Sequence, residues 1–334
     1  MPPLLDVHDL AIGFPGQDVV HGISFHIDAG ETLALVGESG CGKSITAFAL
    51  MRLLPPAARI LRGQVLFEGA DLLSASPRQM RAVRGKRISL ILQEPMTSLN
   101  PVLTVGAQIA EVIRQHETLS RSATSRRVLE LLDLVGIPEP QRRAGEFPHN
   151  FSGGMRQRVM IAMAVACQPR LIIADEPTTA LDVTIQAQVL DLLDSLRRQF
   201  GMAVLLITHD LGVVAQWADR AAVMYAGRIV EQASVRPFFR HPRHPYARGL
   251  LGAAVSEAGT AAEGGHYTTQ RLTEIPGSVA SAAGEPGCPF APRCPDMIPA
   301  CRAAPPGLET VADGWEVACI VATREEVRHV AAVG

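Results

Sequence analysis

The chain has 334 residues, of which 47% are hydrophobic and 19% are charged, and its formal net charge at pH 7 is −2. This length allows one large domain with an extension or two domains, and the near-neutral charge excludes a general attraction to nucleic acid. No apolar run approaches the ~18 residues that a membrane-spanning helix needs, and the N-terminus lacks the features of a signal peptide. We therefore expect a protein that is made and kept in the cytosol.

The first 70 residues predict several strands. Residues 5–10, 23–27 and 63–69 alternate apolar and polar side chains. A period of two is typical of half-buried antiparallel strands. Residues 31–36 are more continuously apolar, which predicts a buried strand.

A phosphate-binding loop is predicted directly after this buried strand. Residues 37–44 read GESGCGKS and fit the pattern G-x-x-x-x-G-K-[ST], and residues 44–50 predict the start of a helix. Such loops and helix N-termini bind anions through backbone N–H groups. The lysine of the pattern is one of only two in the chain, and its compact ammonium suits a site where the planar fork of arginine does not. The residues predicted to surround the phosphates are Gly37, Glu38, Ser39, Gly40, Cys41, Gly42, Lys43 and Ser44. Because Cys41 lies near a helix N-terminus, we also expect a lowered thiol pKa.

The middle of the chain predicts helices followed by parallel strands. From about Thr104 to Cys167 the apolar residues have a helical period. Strands return at residues 170–174 and 202–207, and a helix at residues 185–200 separates them. This alternation predicts an α/β fold with a parallel sheet and right-handed crossovers.

Two of these strands end in residues suited to phosphate chemistry. Asp175 and Glu176 follow one strand, and His209 follows the next. At the carboxyl edge of a parallel sheet, Asp175 can enter a Mg²⁺ shell, Glu176 can orient an attacking water, and His209 can sense the γ-phosphate. The alternatives are a solvated acidic turn and a histidine that makes only local hydrogen bonds, and the upstream loop favours the catalytic interpretation.

A second anion-binding helix N-terminus is predicted at Ser152, Gly153 and Gly154, within the run FSGGMRQR; the alternative is an ordinary capped helix. With the preceding motifs, this run resembles the signature of ABC-transporter ATPases. The common signature has glutamine where this chain has Met155, a change that leaves Ser152 and Gly153 intact.

The resemblance covers residues 1–235. It implies an ABC-type P-loop NTPase with a RecA-like core, an antiparallel β subdomain and a helical subdomain at about residues 95–167. In that family the signature completes the ATP site of a partner chain. By the same resemblance, Phe14 is similar to the aromatic that stacks on adenine and residues 180–182 to the D-loop. Gln93 is similar to the Q-loop glutamine, which contacts Mg²⁺ and the γ-phosphate or the nucleophile.

A narrower resemblance is to the ATPase subunits of dipeptide, oligopeptide and nickel importers, specifically the D-type subunit. It depends on residues 93–101, on Met155 and on the triplet at residues 244–246. It implies three kinds of partner: a second ABC ATPase subunit of the F type, two membrane permease subunits and an extracytoplasmic solute-binding protein. The chain would then lie at the cytoplasmic face of the inner membrane and would not bind nucleic acid. The solute is then a di- or oligopeptide, with nickel or another small solute as the alternative.

Two other classes stay open. A soluble ABC ATPase of DNA repair or translation is disfavoured because the chain has one nucleotide domain, no long coiled coil and no strong basic patch. A metal-cluster regulatory module would require metal-dependent behaviour independent of ATP.

The tail, residues 236–334, is predicted to be a C-terminal extension. Residues 252–269 are rich in Ala, Gly, Ser and Thr, which predicts a surface linker or mobile loop. Four cysteines follow with the spacing C-x5-C-x6-C-x17-C, which does not match a zinc ribbon. Four thiolates beside Cys-Pro steps suit a [4Fe–4S] cluster better, as the resemblance also implies; zinc and four reduced thiols are the alternatives. The expected ligands are Cys288, Cys294, Cys301 and Cys319.

Overall fold

The computed structural model describes residues 2–94, 98–179, 181–258, 275, 277–282 and 284–323. Within these residues the strands form two sheets, one of four strands and one of eight. None of the helices in the described part of the chain combines the length and apolar character needed to cross a bilayer.

The smaller sheet is antiparallel, as the alternation of apolar and polar residues predicted. Its strand order is β2-β1-β4-β5. Gly16, in the short connection between β1 and β2, has φ +82°, a conformation that glycine adopts without steric cost. The strands are β1 (Leu5–Phe14), β2 (Gln17–Ile27), β4 (Arg59–Phe67) and β5 (Ala70–Asp71).

The larger sheet is mixed and has the order β11-β12-β10-β9-β3-β8-β7-β6. The five strands from β9 to β6 are parallel, and β10, β11 and β12 add antiparallel pairs at one side. Every residue of β3, β7 and β8 is buried, because one face of these strands shares a core with the smaller sheet and the helix Lys43–Leu50, and the other face packs against further helices. The strands are β3 (Thr32–Val36), β6 (Ile88–Ile91), β7 (Leu171–Asp175), β8 (Ala203–Thr208), β9 (Arg220–Tyr225), β10 (Arg228–Ser234), β11 (Glu309–Ala312) and β12 (Trp315–Val317).

Side-chain caps determine where several helices begin. Ser76, Thr104, Ser120, Ser152 and Asp182 each accept a hydrogen bond from the backbone N–H three residues later, which satisfies one of the free donors of the first turn. The α-helices are Lys43–Leu50, Pro77–Val83, Val105–His116, Arg121–Leu134, Pro140–Arg143, Gly153–Val165, Val183–Phe200, Leu211–Trp217, Val235–Arg240 and Pro245–Ala258. Short 3-10 helices are Pro148–Asn150, Val279–Ala282, Ala291–Arg293 and Pro299–Arg302.

The prediction of a linker or mobile loop at residues 252–269 is wrong for residues 252–258. Residues 252–258 continue the helix Pro245–Ala258, because alanine favours a helix more than the overall composition of the segment suggested. The remainder of the predicted linker, residues 259–269, lies outside the described residues.

The C-terminal extension packs against the larger sheet. Its strand β12 pairs with β10, with Glu231 opposite Val317. Behind these strands, an aromatic cluster of Tyr225, Tyr246 and Phe290 is almost completely buried. The extension therefore shares a hydrophobic core with strands β9 and β10.

Candidate functional site

The catalytic candidates converge on one edge of the larger sheet. Strands β3, β8 and β7 are parallel neighbours, and Val36 pairs with Thr208 while Asp175 pairs with Ile207. Their carboxyl ends therefore lie side by side, as parallel pairing requires. The loop at residues 37–42 leaves the sheet next to Glu176 and His209.

The loop after β3 has a backbone that only glycine can form at several points. A Cβ atom on Gly37 would lie 2.1 Å from the carbonyl oxygen of Met224. Gly40 and Gly42 have φ +78° and +108°, and Gly42 is also the N-cap of the helix Lys43–Leu50. Because Gly42 has no side chain to cap this helix, the first N–H groups are available to an anion.

Lys43 is a buried cation beside this loop. Its side chain donates hydrogen bonds to the carbonyl oxygens of Gly37, at 2.7 Å, and Glu38, at 2.9 Å. These acceptors are neutral, so they do not cancel the charge of an ammonium that is only 5% exposed. The position therefore attracts an anion strongly.

Ser44 and Asp175 form a pair of oxygen donors suited to Mg²⁺. The Ser44 hydroxyl donates to Oδ1 of Asp175 at 3.0 Å. Burial raises the pKa of Asp175, with the charge of Glu176 as a further cause, and the Ser44 hydrogen bond and Lys43 oppose the rise. A hydroxyl and a carboxylate at a shared point fit the hard-oxygen ligand preference of Mg²⁺.

Glu176 is the centre of a hydrogen-bonded cluster. Its Oε2 accepts from Gln93 Nε2 and from the Thr179 hydroxyl, each at 2.9 Å, and its Oε1 lies 3.2 Å from Nδ1 of His209. Glu176 has φ +44°, in the left-handed region that a non-glycine residue adopts only when its surroundings impose it. The predicted residues Gln93, Glu176 and His209 are thus brought together.

Two neighbouring cavities open at this edge. One has a volume of about 720 Å³ and is lined by the phosphate-binding loop together with Gln93, Glu176, Thr179 and His209. The other, of about 610 Å³, also touches Ser39 and Gly40 and lies between the start of β2 and the C-terminal extension. Both volumes fall in the range of small-molecule sites.

Some predicted residues lie elsewhere. Phe14, at the end of β1, is partly buried and does not line either cavity. Ser152, Gly153 and Gly154 open the helix Gly153–Val165 and do not line the cavities either. Ser152 and Gly153 are exposed, so a second molecule can reach them.

Three contributors to the site were missed in the sequence. Thr179 lies three residues after Glu176 and donates to its carboxylate. The sequence signal for this contact is a hydroxyl side chain close in the chain to the candidate base. Tyr246 accepts a hydrogen bond from the Glu38 N–H at 2.9 Å, and Arg293 pairs with the Glu38 carboxylate. Tyr246 drew attention only as part of a family motif, and nothing local singled out Arg293.

The predicted [4Fe–4S] cluster is wrong. Within the described residues, no group of three or more His, Cys, Asp or Glu side chains is placed to hold a metal ion, which also argues against zinc. The four cysteines of the tail do line one cavity, but its volume is about 10 Å³, roughly the space for one water molecule. Burial raises the pKa of Cys288 and Cys319, and that of Cys294 to about 11.

The lowered pKa expected for Cys41 is also wrong. The thiol is completely buried, and this desolvation raises its pKa despite the opposing charge of Lys43. The Cys41 side chain therefore stays protonated and packs as a small apolar group.

Comparison with known proteins identifies two matching families. Residues 20–179 match the family described as ABC transporter, and residues 230–301 match the oligopeptide/dipeptide transporter C-terminal region. A probable peptide ABC transporter ATP-binding protein, y4tR of Sinorhizobium fredii, is 53% identical, over 95% of this chain and 94% of its own length. The oligopeptide transport ATP-binding protein OppD of Bacillus subtilis is 55% identical, over 82% and 76%. The dipeptide transport ATP-binding protein DppD of the same organism is 48% identical, over 96% and 95%.

Solved structures agree with the family match. The dimeric ATP-binding cassette MJ0796 in a post-hydrolysis state bound to ADP and Pi has a TM-score of 0.62 and 25% identity, over 70% of this chain and 99% of its own. The cbiO1 subunit of the cbiONQ ABC transporter complex from Clostridium perfringens has a TM-score of 0.64 and 25% identity, over 72% and 92%.

Proposed function

We propose, from the premise that this chain belongs to the ABC transporter family as one of its ATP-binding proteins, that its ATPase activity drives the uptake of di- and oligopeptides. The observation that carries this proposal is the single sheet edge where Lys43, the Ser44–Asp175 pair and the Glu176 cluster surround one cavity. The peptide substrate is supported by the names of relatives about half identical to this chain over most of its length.

ATP hydrolysis at this edge would depend mainly on how the phosphates and the attacking water are positioned and on the charges that surround them. The loop backbone and the buried ammonium of Lys43 would bind the phosphates of ATP. Ser44, Asp175 and Gln93 would hold Mg²⁺, which neutralises charge on the phosphate oxygens when it is bound. Phe14 would lie against the adenine.

Glu176 would act as the general base. Three neighbours hold its carboxylate, so its orientation at the cavity is defined before a water arrives. Both of its oxygens already have partners. A carboxylate nevertheless has about four acceptor positions, so Oε1, which has the exposed His209 as its described partner, can still accept a proton from water.

The signature segment would act on ATP bound by another subunit. Ser152 and Gly153 are exposed at a helix N-terminus, and they do not line the cavities of their own chain. The N–H groups and dipole of such an end suit the phosphates of a partner's ATP. We assign this partner as the second ABC ATPase subunit of the importer, of the F type. The complex would also contain two transmembrane permease subunits, which receive solute from a solute-binding protein, and the two ATPase subunits would lie at the cytoplasmic face of the inner membrane.

Uptake in cells that lack this chain tests the proposal. Wild type should restore the uptake of labelled di- and tripeptides, and Lys43→Ala should not, because the phosphates lose their buried cation. Lys86→Ala is a matched control, since it removes the only other lysine, an exposed residue whose ammonium donates to the carbonyl of His116. Restoration of Ni²⁺ uptake alone would assign nickel instead, and full peptide uptake with Lys43→Ala would contradict the ATPase assignment.

A further inference from the structure

Two residues of the C-terminal extension hydrogen-bond to Glu38 in the phosphate-binding loop. Arg293 Nη1 donates to both carboxylate oxygens of Glu38, at 3.1 and 3.0 Å. The Tyr246 hydroxyl accepts the Glu38 backbone N–H at 2.9 Å. The carbonyl of the same residue accepts from Lys43, so the extension and the loop lysine bind opposite ends of one short backbone segment.

Arg293 is held rigidly in this contact. Its side chain is 4% exposed, and it also donates to the Tyr225 hydroxyl at 3.3 Å and to the carbonyl of Ile275 at 3.1 Å. Its guanidinium lies over the rings of Tyr225 and Phe290. A guanidinium positioned in this way loses little further freedom in binding Glu38, unlike the partners of an ordinary surface ion pair.

The charge of Glu38 explains why such a contact matters to a nucleotide. A carboxylate in a loop that binds phosphates repels them, and the repulsion grows where water is partly excluded. Pairing with Arg293 cancels this charge. The extension therefore supplies a cation that the loop itself lacks at this position.

The extension also forms part of the second cavity. Its residues Glu285 and Pro286 face the start of β2 across a space that reaches Ser39 and Gly40. Movement of the extension would thus change both the charge at Glu38 and the shape of the space beside the loop.

We propose that the C-terminal extension sets the affinity of the chain for ATP, because Arg293 and Tyr246 neutralise and position Glu38 in the phosphate-binding loop. Both are positioning residues, since they act through Glu38. The inference rests on the proposed function, because it requires ATP at this loop. Any contact that shifts the extension then changes nucleotide binding.

The test measures the Kd of the full-length chain for a fluorescent N-methylanthraniloyl derivative of ATP with Mg²⁺. Arg293→Ala should weaken binding by about tenfold, within the usual range of coupling between sites. Arg293→Lys should recover part of the loss, since it restores the charge without the fork. The pair Glu38→Gln with Arg293→Ala should bind more tightly than Arg293→Ala alone, because it removes the uncompensated carboxylate.

Arg248→Ala is the matched control. It breaks an ion pair with Asp296 within the extension but makes no described contact with the phosphate-binding loop, so its Kd should equal that of wild type. Tyr246→Phe gives an independent measurement with little change in packing, and it should weaken binding because the Glu38 N–H loses its acceptor.

The outcomes separate the two proposals. A wild-type chain that does not bind the nucleotide would overturn the proposed function, and this inference with it. A wild-type chain that binds, with Arg293→Ala and Tyr246→Phe both equal to Arg248→Ala, would overturn the inference alone. A double variant no better than Arg293→Ala would also overturn it, because a merely structural role of Arg293 gives no recovery when the carboxylate is removed.

Discussion

At the scale of single residues, opposing demands meet at Asp175. A metal ligand must be ionised, yet burial makes the ionised form costly and raises its pKa. The hydrogen bond from Ser44 and the nearby charge of Lys43 offset part of that cost. The proposed nucleotide site therefore contains a carboxylate whose burial costs stability, and a bound cation would offset that cost.

Asp175→Asn should separate these two effects. Because the folded pKa of Asp175 is raised, the ionised form costs stability at all pH values above that pKa, and the cost disappears as pH falls through it. The neutral amide removes the cost and can still accept from Ser44. We expect a higher Tm without ligand at pH 7, but a smaller rise in Tm on adding Mg²⁺ and ATP. A lower Tm without ligand would contradict the burial argument; Asp133→Asn, at an exposed helical position, serves as the control.

At the scale of elements, the connection from β10 to the helix Pro245–Ala258 is built around buried polar groups. The Glu231 carboxylate accepts from the backbone N–H groups of Arg243 and His244 and from the Trp315 indole. Nδ1 of His244 in turn accepts from the backbone N–H of Tyr246, which holds Tyr246 next to the phosphate-binding loop. These bonds orient the helix start that carries the contact with Glu38.

His244 should make this connection sensitive to acid. Burial lowers its pKa from 6.5 to about 3, so between these values the unfolded chain binds a proton that the folded chain cannot. Stability is then lost as pH falls from 6.5 towards 3, by at most about 1.4 kcal/mol for each pH unit. His244→Asn, whose amide oxygen can accept the same bond, should show a shallower loss in urea unfolding over this window. The exposed His8→Asn is the control, and equal slopes for both variants would contradict this explanation.

At the scale of the whole molecule, the exposed signature segment is available for the proposed contact with a second subunit. Gly153 is an exposed first-turn residue, and a Cβ atom there makes only an ordinary contact, 3.5 Å from Leu181. An acidic side chain in the first turn of a helix interacts favourably with the positive end of the helix dipole. A charge at this position should therefore spare the fold of its own chain.

Gly153→Asp should bind nucleotide normally as an isolated chain and lose ATPase activity in the assembled transporter. Its carboxylate would meet the phosphates of the partner's ATP, so we expect a loss of at least about tenfold. Gly153→Ala makes the same backbone change without the charge and should retain most of the activity. Normal ATPase activity of Gly153→Asp in the complex would show that this segment does not reach a partner's nucleotide.

The catalytic edge was predictable from sequence because its information is local. The loop with Lys43, the strand ending at Asp175 and the histidine after the next strand are each recognisable within a few residues, and parallel pairing brings their ends together. The mutual contacts of Gln93, Glu176 and His209 follow from that placement. Thr179 was not predicted, because a threonine does not by itself indicate a functional site.

The predictions for the C-terminal tail were wrong because its structure depends on how it packs against the rest of the chain. The spacing of four cysteines suggested ligands, whereas the tertiary structure places their thiols around a space the size of one water molecule, within described residues that hold no metal-binding group. Composition likewise suggested a linker from residue 252, where the helix in fact continues.

The α/β architecture, the phosphate-binding loop and the order of the candidate catalytic residues are predictable from the sequence, because periodicity and short motifs specify strands, helices and the loops between them. Tertiary packing, in contrast, places the extension at the edge of the larger sheet and brings Arg293 and Tyr246 to Glu38. The two contacts with Glu38 join residues more than 200 positions apart. No local pattern encodes such a contact, because burial and close packing of distant segments bring the two side chains together.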